Sequence, residues 1–470
     1  MTTQPASPSF SVNLPEHLQQ QLQGQHIAYQ LRGQDEIGPL AQRVQPCLLS
    51  DASGLLLAIF PADHLLDLAE LARTTGREME PVRQQQLQEI FAQHQIGQLP
   101  GLPLLSNTSC VIDPQLLTHA VLWLPSGVPG SWLEMDQNTF SQIADTTLIA
   151  GFTVPLSNII IAAADPEQDR SDFSDAVQNF TALRVRQRLE ETIEIPPLSN
   201  TTQQIMKLRV NPDATIEQLT DVVETDPSLA AQVVSWASSS YYAAPVKIRS
   251  VEDAITRVLG FDLVTNLAVG LSLGKTFSLP KDAPEGTPPY WEQAIYCAAA
   301  IEGLAMAMPR EQRPELGLNY LAGLLHNFGY LVLAYIFPPH FQLICRHLEA
   351  NPHVPPHMVD QHLLGVTREQ IGSWLMRYWD MPPEVPTAIR HQHAPDYAGE
   401  HHVYANLIYL SNALLREQEL GDRPLLPVDE KLLERLGLSR DAADQAIDKV
   451  LNARDALRKL VNDYQLATKR

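Results

Sequence analysis

Short apolar runs separated by turn residues recur along the first 155 residues of the chain. Such runs, bounded by glycine, proline or polar residues, predict buried strands. They alternate with segments whose apolar residues return every three or four positions, as in amphipathic helices. The pattern therefore predicts a mixed α/β domain with strands at 47–49, 55–60, 110–112 and 120–124, helices at 62–74 and 81–94, and a loop at 97–103.

Beyond residue 155 the spacing of apolar residues becomes helical almost throughout. The apolar run 159–164 predicts a buried strand or a linker, and 172–191 predicts a connecting helix. Helix-start signals occur at Asp226-Pro227 and at Ser250, and the last helix, predicted at 441–464, is apolar on one face. We expect that helix to dock on the body of the protein or to mediate association. The other predicted helices are 215–223, 227–238, 251–260, 263–277, 291–308, 318–336 and 369–378.

Composition and charge narrow the classes of function. Of 470 residues, 44% are hydrophobic and 19% are charged, which supplies enough apolar material for large packed cores. The formal net charge of -21 argues against the basic surface that binding to nucleic-acid backbones requires. Four cysteines lack the spacing of a metal site or a disulfide framework. Because no segment has the pattern of a secretory signal or a membrane span, we expect a cytoplasmic protein without membrane association.

One polar pair, His326-Asn327, interrupts the apolar stretch Leu-Leu-His-Asn-Phe-Gly at residues 324–329. A His-Asp pair at such a position would bring an imidazole and a carboxylate to a divalent cation. Asparagine offers a neutral carbonyl oxygen, which does not offset the charge of the ion. We therefore expect the two side chains to hydrogen-bond to each other within a helical core.

Successive blocks after residue 195 resemble, in the same order, those of an HDOD domain. The blocks are 195–198, 225–230, 238–242, 250–255, 259–260, 324–329, 371–372, 381–382 and 388–395. The family is related in fold to the HD and HD-GYP phosphodiesterases, but it is regarded as regulatory and catalytically unproven. The resemblance thus implies an all-α domain that acts in signal transduction.

The resemblance also places the metal ligands of active relatives on this chain. They correspond to Gln293, His326, Asn327, Arg368, Gln392, His393 and Asn412. Two imidazoles without a carboxylate do not hold the two cations of phosphoryl displacement, and Arg368 adds a permanent positive charge. We therefore expect no catalytic residues, no bound metal and no cofactor, and we interpret these positions as a binding site for a phosphate or carboxylate. The neighbouring histidines His391, His401 and His402 predict a solvated loop more readily than a metal site.

The first domain resembles the aminoacyl-tRNA deacylases of the YbaK and prolyl-tRNA editing type, on residues 55–63, 66–71, 97–100 and 122–133. In that family deacylation relies on a lysine near the start of an early strand and on a glycine-rich loop. Here no lysine precedes Lys207, and the corresponding positions are Gln45 and Pro46. The resemblance implies a pocket whose editing activity is lost and whose fold serves as a sensor or docking module. The predicted pocket residues are Gly97, Pro100 and Gly127.

The sequence therefore predicts a multidomain protein. Its parts are a YbaK-like α/β domain at 10–155, a linker helix at 156–193, an all-α HDOD domain at 194–415 and a C-terminal helical extension at 416–470.

The predicted function is non-catalytic signal transduction. We expect a protein partner in a signalling pathway or a small phosphorylated or nucleotide ligand, with self-association through the C-terminal helix as a further interaction. Two enzymatic alternatives stay open: an editing hydrolase that acts on mischarged tRNA through the first domain, and a metal-dependent phosphodiesterase. The acidity of the chain disfavours nucleic acid as a partner, and tRNA is the alternative.

Overall fold

The computed structural model describes residues 14–24, 26–105, 107–145, 147–180, 196–244, 246–277, 279–280, 282–422 and 424–468. The chain divides into two compact units. The first comprises Met1–Ile160, Pro284–Gly286 and Cys345–Val354, and the second comprises Ile161–Ala283, Thr287–Ile344 and Pro355–Arg470. In the described residues strands occur in the first unit and the second is helical, so the predicted fold class is confirmed. None of the described helices has both the length and the apolarity needed to cross a membrane.

The first unit combines strands with a few short helices. Its strands are β1 (Gln30–Gly33), β2 (Val44–Asp51), β3 (Gly54–Pro61), β4 (His64–Leu66), β5 (Glu80–Pro81), β6 (Thr108–Ile112), β7 (Val121–Pro125), β8 (Ser131–Asp136), β9 (Leu148–Ile149) and β10 (Thr153–Pro155). Its helices are α1 (Glu16–Gly24), α2 (Leu68–Thr75), α3 (Gln84–His94) and α4 (Gln137–Ala144). The four predicted strands and the predicted loop at 97–103 are confirmed.

The largest sheet has the strand order β5-β2-β3-β6-β9. Strand β2 is antiparallel to β3 and β5, whereas β6 is parallel to β3 and β9. Two smaller antiparallel sheets have the orders β1-β8-β7 and β10-β4. On β3, Leu57 and Ile59 join one apolar cluster, and Leu56, Ala58 and Phe60 join another. Because both faces of the strand are covered, its sequence is a continuous apolar run.

Three predictions for the first unit need correction. The helix predicted at 62–74 is divided, because β4 comes first and Asp67 then caps α2 by accepting hydrogen bonds from the backbone N–H groups of its first turn. The helix predicted from residue 81 begins at Gln84, since Glu80–Pro81 pairs with β2 as a short strand. The run 159–164 is irregular and Ile160 is 78% exposed, so the buried-strand interpretation is wrong.

Helices follow one another through the rest of the chain. They are α5 (Pro166–Phe180), α6 (Asn200–Arg209), α7 (Ile216–Glu224), α8 (Pro227–Ala237), α9 (Val251–Ala254), α10 (Phe261–Gly274), α11 (Tyr290–Ala307), α12 (Leu316–Leu325), α13 (Phe328–Ile336), α14 (Pro338–Ala350), α15 (Pro356–Leu364), α16 (Arg368–Tyr378), α17 (Glu384–His391), α18 (His402–Glu417), α19 (Glu430–Arg435), α20 (Arg440–Asn452) and α21 (Arg454–Thr468). A π-helical turn at Ile255–Leu259 continues α9. Helix α11 contacts α12, α18, α20 and α21, and its burial on several sides explains its nearly uniform apolar sequence.

The predicted capping residues are confirmed, but two long predicted helices are divided. Asp226 and Ser250 accept hydrogen bonds from backbone N–H groups at the starts of α8 and α9. The helix predicted at 318–336 is broken into α12 and α13. The helix predicted at 441–464 is broken into α20 and α21, and their contacts with α11 confirm the predicted docking on the body. Helix α5 begins before residue 172, and the part predicted at 181–191 lies outside the described residues.

Candidate functional site

The pair His326-Asn327 lies in the break between α12 and α13. His326 is buried, and its Nδ1 is 2.8 Å from the carbonyl oxygen of Gly323. The imidazole is therefore anchored to its own helix, which corrects the expectation that it would pair with the Asn327 amide. Burial lowers the pKa of His326 to about 4, so the ring is neutral near pH 7.

Gln392 stands where the resemblance places a metal-binding histidine, and it joins two helix ends. Its amide nitrogen donates to the carbonyl oxygen of His326 at 2.8 Å and to that of Ile389 at 3.1 Å. Carbonyl groups at helix C-termini lack a partner within their own helix. The two N–H donors of the glutamine amide satisfy one such group on each helix, which a neutral imidazole with one donor could not do.

Arg368 is fixed at the first residue of α16. The Thr367 hydroxyl accepts a hydrogen bond from the Gln370 backbone, and the Gln370 side chain accepts one from the Thr367 backbone. The Arg368 guanidinium then donates to both carboxylate oxygens of Asp360, at 2.5 and 2.9 Å. These side chains are only 7% and 0% exposed. Arg368 is thus committed to an internal ion pair at a position where active relatives carry a histidine.

Beside this ion pair lie Glu369, His357 and His393. The Glu369 Oε1 is 3.0 Å from the Nε2 of His393, and the rings of His357 and His393 stack with centroids 4.2 Å apart. Burial raises the pKa of the Glu369 carboxyl, but the charge and hydrogen bond of His393, with the charges of His357 and Arg368, together hold that pKa well below its usual range. Burial lowers the pKa of His357 to about 3. In the part of the chain that the structure describes, these three residues could hold a metal ion, since their ligand atoms lie within 4.8 Å of one another.

A second internal ion pair joins Arg416 on α18 to Asp422. The Arg416 Nε donates to Asp422 Oδ1 at 2.9 Å. Burial raises the pKa of Asp422, but the charge and hydrogen bond of Arg416 together with the charges of Arg368 and His393 lower it below its ordinary value. The two ion pairs and the histidines therefore form one electrostatic group, which we call the charged cluster: His326, His357, Asp360, Arg368, Glu369, His393, Arg416 and Asp422.

Sequence reasoning identified only part of the charged cluster. It predicted His326, Arg368 and His393, and the structure brings these into one group. It missed the carboxylates, although acidic residues inside otherwise apolar helical segments are a recognisable signal because an isolated buried charge is costly. The missed members are His357, Asp360, Glu369, Arg416 and Asp422.

Two other predicted site residues, Gln293 and Asn412, are not members of the charged cluster. The Gln293 amide donates to the Pro288 carbonyl at 2.7 Å, near the start of its own helix. Asn412 lies half-buried on α18, next to Ser411, whose hydroxyl donates to the Cys297 carbonyl at 3.4 Å. Asp422, beyond the end of α18, is a carboxylate that interacts with Arg368 and His393.

The residues at the family's ligand positions do not fit the binuclear metal centre that the HD-related fold implies. Asn327 offers no carboxylate, the Gln392 amide nitrogen donates to two carbonyls, and Arg368 is a cation paired with Asp360. A centre of two divalent ions requires several carboxylate and imidazole ligands with free lone pairs. No reaction step through two metal ions follows from this arrangement.

In the first unit the predicted pocket residues lie where two loops meet. The backbone N–H groups of Gly97 and Gln98 donate to the Gly127 carbonyl at 2.9 and 3.2 Å. A Cβ on Gly97 would lie 2.6 Å from the Pro129 side chain, and Gly127 has a φ of 96°. Both glycines are therefore required by the close approach and the turn. Pro100 is buried and lies in the same loop as Gly97.

The strand position that carries a lysine in the editing family has a different role here. Gln45 lies on β2, and its amide nitrogen donates to the carbonyl of Pro46 at 3.1 Å. The nearby Arg43 donates to the Gly38 carbonyl at 2.7 Å. Neither side chain provides the free ammonium group that the family uses.

Comparisons with known proteins agree with this architecture. Residues 195–395 match the model of the HDOD domain, and residues 36–143 match that of the aminoacyl-tRNA editing domain. A crystal structure from Marinobacter aquaeolei VT8, described as a candidate signal transduction protein, has 41% sequence identity and a TM-score of 0.87. The alignment covers 96% of this chain and 100% of the Marinobacter chain.

A protein of Treponema pallidum (strain Nichols), described as uncharacterized, is 24% identical over 241 residues. The match covers 51% of this chain and 45% of that protein, so this chain spans about half the length of the curated relative. By the similarity along its whole length to the Marinobacter protein and by its two domain matches, the chain belongs to the HDOD domain proteins and carries an aminoacyl-tRNA editing-type domain before its HDOD domain.

Proposed function

We propose that this chain is a regulatory protein of signal transduction whose HDOD domain binds a protein partner or a small ligand and does not hydrolyse phosphodiesters. The observation that carries the proposal is the ion pair of Arg368 with Asp360, buried at a former ligand position. A guanidinium is always charged near neutral pH and has no acceptor atom, so residue 368 cannot act as a ligand of a divalent cation.

Two further observations support a non-catalytic role. Asn327 supplies no carboxylate, and Gln392 is used to join helix ends. Phosphoryl displacement by the HD type needs metal ions to activate water and to stabilise the leaving oxygen. The relative from Marinobacter aquaeolei VT8 is described as a candidate signal transduction protein, which agrees with a binding role.

The test is an activity assay on the full-length chain with Mn²⁺ or Mg²⁺ and with cyclic dinucleotides as substrates. We expect no turnover above that of the His326→Ala variant. Metal-dependent turnover that disappears in His326→Ala would overturn the proposal. Thermal-shift measurements with nucleotides and phosphate, and pull-downs with the full-length chain, then decide whether the bound species is a small ligand or a protein.

The second candidate function is hydrolysis of mischarged tRNA by the first domain. It is favoured by the match of residues 36–143 to the editing-domain model. It is opposed by the absence of any lysine before Lys207 and by the engagement of Gln45 with its neighbouring carbonyl. Deacylation of mischarged aminoacyl-tRNA at a rate well above that of the uncatalysed ester would establish it.

A further inference from the structure

Three side chains from three separate segments converge inside the helical unit. His357 lies in the first turn of α15, Glu369 in the first turn of α16, and His393 just after α17. Each offers one ligand atom, and these atoms are at most 4.8 Å apart. Such a convergence from distant parts of the sequence is produced by the tertiary fold and has no counterpart in local helix spacing.

Two polar atoms of this group have unmet bonding capacity. The Glu369 Oε2 and the His357 Nδ1 are both buried and have no hydrogen-bond partner in the described residues. The Glu369 side chain is only 6% exposed. A buried polar atom without a partner costs about 1–3 kcal/mol, and more when the group is charged. Two such atoms in one cluster point to a bound species that both contact.

The charges around Glu369 point to a cation. Arg368 is paired with Asp360, and Arg416 is paired with Asp422. Each buried guanidinium thus has its own carboxylate. Glu369 is the remaining carboxylate of the charged cluster: its Oε1 lies 3.0 Å from His393 Nε2, and its Oε2 has no hydrogen-bond partner among the described residues. A positive ion beside that oxygen would offset its charge.

From these observations we infer that His357, Glu369 and His393 form a site for one divalent transition-metal ion of the zinc or iron(II) class. Two imidazoles and one carboxylate are a ligand set that such ions accept, leaving one or more positions open. Ligand atoms bound to one ion at about 2.1 Å lie roughly 3.0–4.2 Å apart. The 3.0 Å between Glu369 Oε1 and His393 Nε2 already matches this range, and all three ligand atoms lie within 4.8 Å of one another.

This site differs from the centre that the resemblance implies. It shares His393 with the family positions, but His357 and Glu369 come from positions that carry no ligand there. It is also independent of the proposed function, because a single ion here is compatible with a protein that hydrolyses nothing. A protein that binds no metal would contradict only this inference, whereas phosphodiesterase activity would contradict only the proposed function.

The test is calorimetric titration of the full-length protein, first stripped with a chelator, with Zn²⁺ and, without oxygen, with Fe²⁺. We expect one ion per chain, and an affinity at least about 100-fold lower in Glu369→Gln and in His357→Gln. Co²⁺ should give the absorption bands of a low-symmetry site in the wild type and in the control variant, and not in Glu369→Gln or His357→Gln. His402→Gln, at the first residue of α18, is the matched control and should keep the wild-type affinity.

Circular dichroism of each variant separates loss of ligands from loss of fold. The inference is overturned if neither ion binds stoichiometrically to the folded wild-type protein. It is equally overturned if binding persists unchanged in both Glu369→Gln and His357→Gln, or if it is lost in His402→Gln.

Discussion

Arg368 is a buried cation that depends on one carboxylate. Its guanidinium binds Asp360 through two hydrogen bonds, and both side chains are shielded from water. Buried ion pairs of this kind add little net stability compared with apolar residues of similar size, but loss of one partner leaves an uncompensated charge. The pair therefore fixes the position of Arg368 rather than raising the overall free energy of unfolding.

Another carboxylate of the helical unit, outside the charged cluster, is that of the half-buried Glu302 on α11. The Glu302 Oε2 accepts a hydrogen bond from the Tyr242 hydroxyl at 3.0 Å and a longer one from Tyr241 at 3.4 Å. Burial raises the pKa of Glu302 to about 7, and the two hydroxyl groups only partly counter this. The carboxyl is therefore largely protonated in the folded protein at mildly acidic pH.

This environment predicts a dependence of stability on pH. Since the folded-state pKa of Glu302 is raised, its contribution to stability is complete below about pH 4.5 and falls as pH rises through about 7. Glu302→Gln cannot ionise and should remove this loss. As pH rises from 5 to 8, the free energy of unfolding of the variant should increase by about 2–3 kcal/mol relative to that of the wild type. Urea unfolding at several pH values measures it.

The exposed Glu400 supplies the control for that experiment. Its side chain is 88% exposed, so Glu400→Gln should leave the pH dependence of unfolding unchanged. A free energy of unfolding that does not change between pH 5 and pH 8, in the wild type and in Glu400→Gln alike, would contradict the assignment of a raised pKa to Glu302.

At the scale of elements, the break between α12 and α13 places the second of these helices against α16. Gly329 lies in the first turn of α13, and a Cβ there would be only 1.8 Å from the carbonyl oxygen of Arg368. Gly372 on α16 lies opposite, where a Cβ would be 3.2 Å from the Gly329 backbone nitrogen. The close approach of two backbones, made possible by glycine, holds the first turn of α16 in place.

Gly329→Ala should therefore destabilise the helical unit strongly. The contact is with backbone atoms, which cannot move aside like a flexible side chain, so we expect a loss of at least about 3 kcal/mol in the free energy of unfolding. Chemical denaturation followed by circular dichroism measures the change.

Gly303→Ala on α11 is the matched control for that substitution. A Cβ at Gly303 would meet its nearest neighbours at 3.5 Å, an ordinary contact distance. Alanine also favours the helix by up to about 1 kcal/mol, so this variant should be neutral or slightly more stable. If Gly329→Ala and Gly303→Ala change the free energy of unfolding equally, the backbones of α13 and α16 do not approach this closely in solution.

At the scale of the whole molecule, the chain returns to its first unit long after leaving it. Residues Cys345–Val354 belong to that unit together with Met1–Ile160. The Asn351 side chain accepts a hydrogen bond from the Leu66 N–H at 2.7 Å, and it donates to the Leu66 and His347 carbonyls, each at 2.9 Å. Asn351 thus satisfies both backbone groups of Leu66 at the end of β4.

Asn351→Ala should loosen β4 locally. It would leave the buried N–H and carbonyl of Leu66 without partners, at a cost of about 2–4 kcal/mol. Hydrogen exchange of the Leu66 amide should become faster, because that proton loses its acceptor. Asn138→Ala on α4, where the side chain is exposed, should leave the exchange unchanged. Unaltered protection of Leu66 in Asn351→Ala would contradict the role given to Asn351.

Much of the fold was predictable because its signals are local. The apolar run of β3 and the caps Asp226 and Ser250 are encoded within a few residues, and the structure confirms them. The break at His326-Asn327 was not predictable from periodicity, because the apolar spacing continues across it. Only the packing of α13 against α16 shows why the helix has to stop there.

The sequence by itself determined the two domain types and the loss of the family's chemical groups, since a missing lysine before Lys207 and an asparagine at residue 327 are matters of composition. Tertiary structure alone decided which buried charges meet. It placed Asp360 against Arg368, and it brought Glu369 to His357 and His393. The physical reason is that helix and strand formation depends on neighbours along the chain. The pairing of charges depends on how one helix or loop packs against another, even where the partners are as close in sequence as Asp360 and Arg368.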